Sequence, residues 1–155
     1  MIQRIQSLYL FLATLLSSLF FKGGIINFSE KSGSVIKVTF NGLLSNSGGQ
    51  TFEHIENLLL LSVLIILIPV VSFITIFCFK NRKLQLLLAL SVIILTAGLI
   101  VASVYYSWYV ISEYKAGIIA GFKIILPVVI LILSILAYRG ILKDDRLVKS
   151  YDRLR

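Results

Sequence analysis

Four long apolar runs, separated by short polar stretches, constrain this chain more than any other feature of its sequence. They cover about residues 5–21, 58–79, 84–104 and 122–138. A bilayer core of roughly 30 Å needs about 20 apolar residues for one helical crossing. The runs are also continuous, whereas the strands of a membrane barrel alternate apolar and polar residues. The sequence therefore predicts an all-α bundle of four transmembrane helices.

The composition agrees with a membrane protein. A mean hydropathy of +0.97 and a hydrophobic content of 58% are too high for a soluble domain of 155 residues. The single cysteine, Cys78, allows neither an intrachain disulfide nor a thiolate metal site. We expect one membrane domain over residues 1–155, with an extracytoplasmic loop over 22–57 and a cytoplasmic tail over 139–155.

The distribution of the 15 basic residues predicts the orientation. One side of the predicted topology holds ten of them: Arg4, Lys80, Arg82, Lys83, Arg139, Lys143, Arg146, Lys149, Arg153 and Arg155. The other side holds Lys22, Lys31, Lys37, Lys115 and Lys123. Because basic loops stay in the cytoplasm, both termini are predicted to be cytoplasmic in a bacterial inner membrane. The aromatic residues near 105–114 suit the outer interface.

The first run has a second interpretation as a cleavable signal peptide. Arg4 would be its charged start, but no small-residue cleavage site of the A-x-A type follows the run. An uncleaved helix is therefore the favoured interpretation.

The loop over 22–57 is predicted to form a small β-hairpin. Residues 25–28 and 34–40 have strand character, residues 30–33 form the turn between them, and Asn41-Gly42 marks another turn. Residues 45–49 are interpreted as a flexible link. The hairpin is expected to lie over the helix ends, with a docking strand or lid as the alternative.

Prolines and small residues suggest how the helices are shaped and packed. Pro69 and Pro127 are predicted to kink their helices. Gly98 with Ala102, and Gly117 with Gly121, are small pairs four residues apart that favour close helix contact.

The apolar runs offer little chemistry. They contain no Asp, Glu, His or Arg, and their one lysine, Lys123, lies at the outer edge of the fourth run. This argues against an ion-coupled transporter. Glu53, His54 and Glu56, with Glu113 in the other outer loop, are the nearest approach to an acid–base or metal site. A solvated helix start is the favoured interpretation, so we expect no catalytic residue, cofactor or metal.

The cytoplasmic tail is the most distinctive stretch. Read as a helix, it places Leu147, Tyr151 and Leu154 on one face. The predicted docking residues are Leu147, Val148, Tyr151, Leu154, Arg146, Lys149 and Arg153. The tail has three interpretations: a topology anchor, a docking site for a protein, or a site for anionic lipid. No nucleic-acid partner is expected.

The two ends of the chain resemble a known family. The start MIQRIQS and the end RGILKDD, followed by LVKS and DRLR, resemble Bacteroidota small four-pass inner-membrane proteins that form domain of unknown function 4293. The resemblance implies four helices and a cytoplasmic tail but no activity.

We therefore expect a non-enzymatic accessory or structural subunit of a larger membrane complex. Its expected partners are membrane lipids and another membrane or cytoplasmic protein. The alternative is a small oligomeric transporter, channel or lipid-binding protein, and a membrane enzyme comes third.

Overall fold

The computed structural model describes residues 3–29, 35–46, 53–56, 58–119 and 121–152. Its helices are α1 (Gln3–Ser18), α2 (Leu59–Phe77), α3 (Arg82–Tyr114) and α4 (Leu126–Asp152), with 3₁₀ turns at Leu19–Phe21, Cys78–Lys80 and Phe122–Ile124. Within the described ranges, three helical segments are long and apolar enough to cross a membrane: Leu59–Lys80, Arg82–Tyr114 and Phe122–Leu147. A fourth apolar helix, Ile5–Phe21, is shorter.

The four helices form an up-and-down bundle. The main helix contacts join α1 to α2, α2 to α3, α3 to α4 and α4 to α1. At one end, here called the tail end, α1 and α3 begin and α2 and α4 end. The opposite end carries a β-sheet and is called the sheet end.

The sheet is larger than the predicted hairpin. Its five antiparallel strands are β1 (Ile26–Ser29), β2 (Val35–Thr39), β3 (Gly42–Asn46), β4 (Glu53–Glu56) and β5 (Gly117–Ile119), in the order β4-β3-β2-β1-β5. The two predicted strands pair as β1 and β2. The predicted turn over 30–33 lies outside the described residues. Three further strands give the hairpin the support that an isolated pair of strands lacks.

The flexible link predicted from Ser45 is wrong at its start. Ser45 and Asn46 lie in β3, where Ser45 pairs with Ile36 and Asn46 with Val35. Thr39 pairs with Gly42 across a two-residue turn, and Gly42 has a φ of 131°. The Asn-Gly pair therefore does mark a turn, but a strand follows it.

The sheet packs directly on the helix ends. Phe28, Ile36 and Leu43 are fully buried in one apolar cluster with residues of all four helices, among them Ile65 and Val110. The hydroxyl of Ser62 in α2 donates to the carbonyl of Phe40 at 2.6 Å. The rings of Phe21 and Phe40 lie 5.4 Å apart, edge to face. Sheet and bundle thus share a core.

Helix α3 extends ten residues beyond the predicted 84–104. The inward-facing residues Leu99, Ala102, Tyr106 and Val110 continue the spacing of three or four through this extension. The aromatic and polar residues between them are no obstacle to a helix, although they end the hydropathy signal. Lys115, with a φ of 46°, terminates α3.

Candidate functional site

Polar side chains, two of them buried glutamines, join all four helices at the tail end. The Gln6 amide in α1 donates to the Asp144 carboxylate in α4 at 2.6 Å, and the Arg82 guanidinium in α3 donates to the Asp144 carbonyl at 2.9 Å. Gln85 of α3 donates to the Thr75 carbonyl in α2 at 3.4 Å. Both glutamine side chains are nearly fully buried. We call Gln6, Arg82, Gln85 and Asp144 the tail-end cluster.

The tail-end cluster encloses little space. A cavity of about 20 Å³ lies between Gln6, Arg82, Gln85 and Asp144, enough for one water molecule. Gly140 of α4 packs directly on Gln6, because a Cβ at this position would lie 2.7 Å from the Gln6 Cγ. The tail-end cluster therefore connects helices by hydrogen bonds and does not form a ligand pocket.

The two glutamines of the tail-end cluster can be recognised in the sequence. Gln6 and Gln85 are the only side-chain amides in the four predicted apolar runs. A buried amide must find hydrogen-bond partners, so an amide within an apolar helix indicates a contact with a neighbour.

A second feature is an apolar cleft between α3, the start of α4 and the sheet. It has a volume of about 510 Å³, and we call it the sheet-end cleft. Its lining residues are Ile25, Ile26, Ile100, Ser103, Val104, Ser107, Trp108, Ile111, Ile118, Lys123, Ile124, Pro127 and Val128. Among the described residues that line the cleft, Lys123 is the only charged one, and its ammonium donates to the carbonyl of Lys22.

The serines of the sheet-end cleft differ in their hydrogen bonds. Ser107 donates to the carbonyl of Ser103 at 2.6 Å. The Ser103 hydroxyl is buried and has no hydrogen-bond partner within the described part of the chain. The cleft is therefore an apolar surface with one cationic group and one hydroxyl whose hydrogen-bonding capacity is unused.

Buried hydroxyls elsewhere are used within the bundle. Thr75, Thr96 and Ser134 donate to carbonyls four residues earlier on their own helices. Thr14 and Ser72 form a contact between α1 and α2, with their oxygens 3.0 Å apart. These bonds lie within single helices or between one pair of helices, so they do not form a polar path.

The predicted docking residues lie at the end of α4. Arg146 and Leu147 are exposed. Val148, Lys149 and Tyr151 belong to the helix, but their side chains lie outside the described part of the structure. Arg153 and Leu154 lie outside it altogether. The tail is helical to Asp152, as its periodicity predicts.

The two prolines have different positions in their helices. Pro69 lies inside α2 and is buried. Ser72 and Thr75, the hydroxyl residues that follow Pro69 in α2, donate to the carbonyls of Leu10 and Val71. Pro127 is the second residue of α4. The predicted kink at Pro127 is wrong, because a first-turn N–H has no partner within the helix.

The small pairs do not form the predicted close contacts between helices. Gly117 lies in β5 and Gly121 precedes the turn before α4, so neither belongs to a helix. The prediction that they pack helices is wrong, because the fourth helix begins later than its hydropathy indicates. Gly98 and Ala102 do lie in α3, but the atom nearest to a Cβ at Gly98 is a Leu64 methyl at 4.0 Å.

The possible acid–base residues lie in two different elements of the fold. Glu53, His54 and Glu56 lie in strand β4, not at the start of a helix as expected, whereas Glu113 is exposed near the end of α3. Among the residues that the structure describes, no group of three or more His, Cys, Asp or Glu side chains could hold a metal ion.

Comparison with known proteins gives one match. The family model described as Domain of unknown function (DUF4293) matches residues 2–154. The searches of curated proteins and of solved structures found no match. Because the family model covers nearly the whole chain, the resemblance of the two ends is confirmed, and this protein belongs to the DUF4293 family.

Proposed function

We propose that this protein is a non-enzymatic, four-span protein of the bacterial inner membrane and an accessory or structural subunit of a larger complex. The membrane placement is supported by the outer surface of the bundle. Only 28% to 33% of the most apolar window of each long helix is buried inside the protein. Lipid is the medium that would cover the remaining apolar side chains without cost.

The fourth span in this proposal is α1. Its 16 helical residues reach about 24 Å, and the 3₁₀ turn Leu19–Phe21 extends the apolar segment further. A segment of about 17 residues is at the short end of known spans. Its contacts with α2 and α4 place it inside the same bundle as the longer helices.

The observation that carries the subunit proposal is the continuity of α4 beyond the bundle. The helix has 27 residues and a length of about 40 Å. Gln6 bonds Asp144, so Gln3 at the start of α1 lies near the level of residue 147 in the antiparallel α4. Residues 148–152 therefore project by roughly 8 Å past the start of α1. A helix anchored by the tail-end cluster would present its last turns to a cytoplasmic partner.

Purification from native membranes tests this proposal. The test variant replaces Leu147, Tyr151 and Leu154 with alanine. The control replaces Arg139 and Lys143, which are exposed on the same helix but outside the predicted docking set. We expect a stoichiometric partner to be lost from the variant and kept by the control. Truncation after Gly140 is unsuitable because it removes Ile141 and Asp144 from the tail-end contacts.

Equal recovery of every partner by the variant and the control would contradict docking by the tail. Membrane extraction of both variants must match the parent protein, because loss of insertion would also remove a partner.

The sheet-end cleft favours lipid binding among the alternatives to a subunit role. Its lining is almost wholly apolar, and its one charged residue is a cation. No comparable feature favours the transporter or channel interpretations, since the hydroxyls described above bond locally.

A further inference from the structure

We propose that the sheet-end cleft holds one membrane phospholipid, with an acyl chain against its apolar wall and an anionic headgroup at Lys123. This inference rests on the proposed membrane placement and deepens the lipid-binding alternative. It does not depend on docking by the tail.

The wall of the cleft matches an acyl chain. The lining residues on α3 run from Ile100 to Ile111, a distance of about 16 Å along the helix. With Trp108 at the level of the interface, the acyl chain would lie beside the lower part of this wall, at Ile100 and Val104. Val104 and Trp108 are 62% and 74% exposed, so an occupant would meet them directly.

Polar groups lie where the headgroup would lie. Trp108 belongs to the aromatic stretch expected at the membrane interface. Lys123 lies in the 3₁₀ turn before α4, and the carbonyl of Lys22 occupies one of its three N–H donors. The other two donors can bind phosphate oxygens.

Charge favours an anionic lipid over a zwitterionic one. Lys115 lines an open cleft that shares Ile111 and Ile118 with the sheet-end cleft. Two ammonium groups thus flank one apolar wall. A basic residue at a membrane surface attracts anionic lipid by about 1 kcal/mol, which is about fivefold in affinity.

The single tryptophan provides a direct probe, because Trp108 itself lines the cleft. The full-length protein is placed in phosphatidylcholine vesicles that contain brominated phosphatidylglycerol or brominated phosphatidylcholine with the same acyl chains. Bromine quenches tryptophan fluorescence on contact. We expect phosphatidylglycerol to quench Trp108 at about fivefold lower mole fraction than phosphatidylcholine.

Matched variants distinguish quenching by a lipid in the cleft from quenching by the surrounding bilayer. Val104→Phe fills the cleft, whereas Val101→Phe changes a neighbouring residue of α3 that is 69% exposed and does not line it. Lys123→Gln removes the ammonium in the cleft, and Lys22→Gln removes one outside its lining. The preference for phosphatidylglycerol should disappear in Val104→Phe and Lys123→Gln and persist in both controls.

Equal quenching of the parent protein by the two lipids would overturn the inference. The same lipid preference in the variants and in their controls would also overturn it. Absence of quenching by both lipids at every protein concentration would instead contradict the membrane placement itself. Shielding of Trp108 that grows with the protein-to-lipid ratio would assign the cleft to a second copy of this chain and overturn the inference.

Discussion

At the residue scale, the tail-end cluster is a polar contact between helices that apolar periodicity does not predict. Gln6 and Asp144 are 138 positions apart in the sequence and 2.6 Å apart in the structure. Leaving the buried Gln6 amide without its acceptor would cost about 1 to 3 kcal/mol. The contact therefore fixes the register between α1 and α4 as well as their proximity.

Gly140 is expected to be required for this contact. In Gly140→Ala the new Cβ would lie 2.7 Å from the Gln6 Cγ and displace the glutamine from Asp144. Loss of a hydrogen bond to a charged group costs about 1.5 to 3 kcal/mol, whereas alanine gains only about 1 kcal/mol of helix propensity. We expect a net loss of about 1 kcal/mol in the free energy of unfolding, measured by SDS titration in mixed micelles.

Gly98→Ala is the matched control in α3. A Cβ at Gly98 lies 4.0 Å from its nearest neighbour, so this variant should be as stable as the parent or gain up to about 1 kcal/mol. Equal stability of the two variants would contradict the proposed role of Gly140.

At the element scale, hydropathy located the four helices but not the ends of α3 and α4. Residues Gly117–Ile119 are the clearest case. Gly117, four residues before Gly121, is interpreted from the sequence as part of a helix contact, yet the segment pairs with β1. Strand pairing between Ile119 and Asn27, 92 positions apart, leaves no periodic signal in so short a segment. Strand β5 could not be predicted because its partner is distant in sequence, whereas β3 and β4 each follow the strand they pair with closely along the chain.

The turn between β2 and β3 gives a prediction for the sheet. Gly42 has a φ of 131°, a conformation that favours glycine, so Gly42→Ala should lower the free energy of unfolding by about 1 to 3 kcal/mol. Hydrogen exchange should show faster opening of β2 and β3. Gly121→Ala is the control, since Gly121 has a φ of −114° and no atom within 4 Å of its Cβ position in the described structure.

The control also tests the sequence-based expectation for Gly121. A close helix contact at this residue would make Gly121→Ala destabilising. The structure predicts a change within about 0.5 kcal/mol, as for most surface substitutions.

At the scale of the whole molecule, the fold segregates charge in the way that the sequence predicted. Arg82 and Lys143 lie at the tail end, and Lys22 and Lys123 lie at the sheet end. The even number of helices places the start of α1 and the end of α4 at the same end of the bundle. If all four helices cross the membrane, the positive-inside rule assigns the tail end to the cytoplasm.

Cysteine labelling tests this orientation and the fourth span together. In a Cys78→Ser background, Ser29→Cys reports on an exposed position at the end of β1, and Lys143→Cys reports on an exposed position of α4. We expect a membrane-impermeant maleimide to label Ser29→Cys in intact spheroplasts and Lys143→Cys only after lysis. An epitope tag at the N-terminus should be protected from external protease. Exposure of that tag, with Lys143→Cys still protected, would show that α1 does not cross the membrane. The orientation would then be set by α2, α3 and α4 alone, because nine basic residues would still lie inside against six outside, Arg4 now among the six.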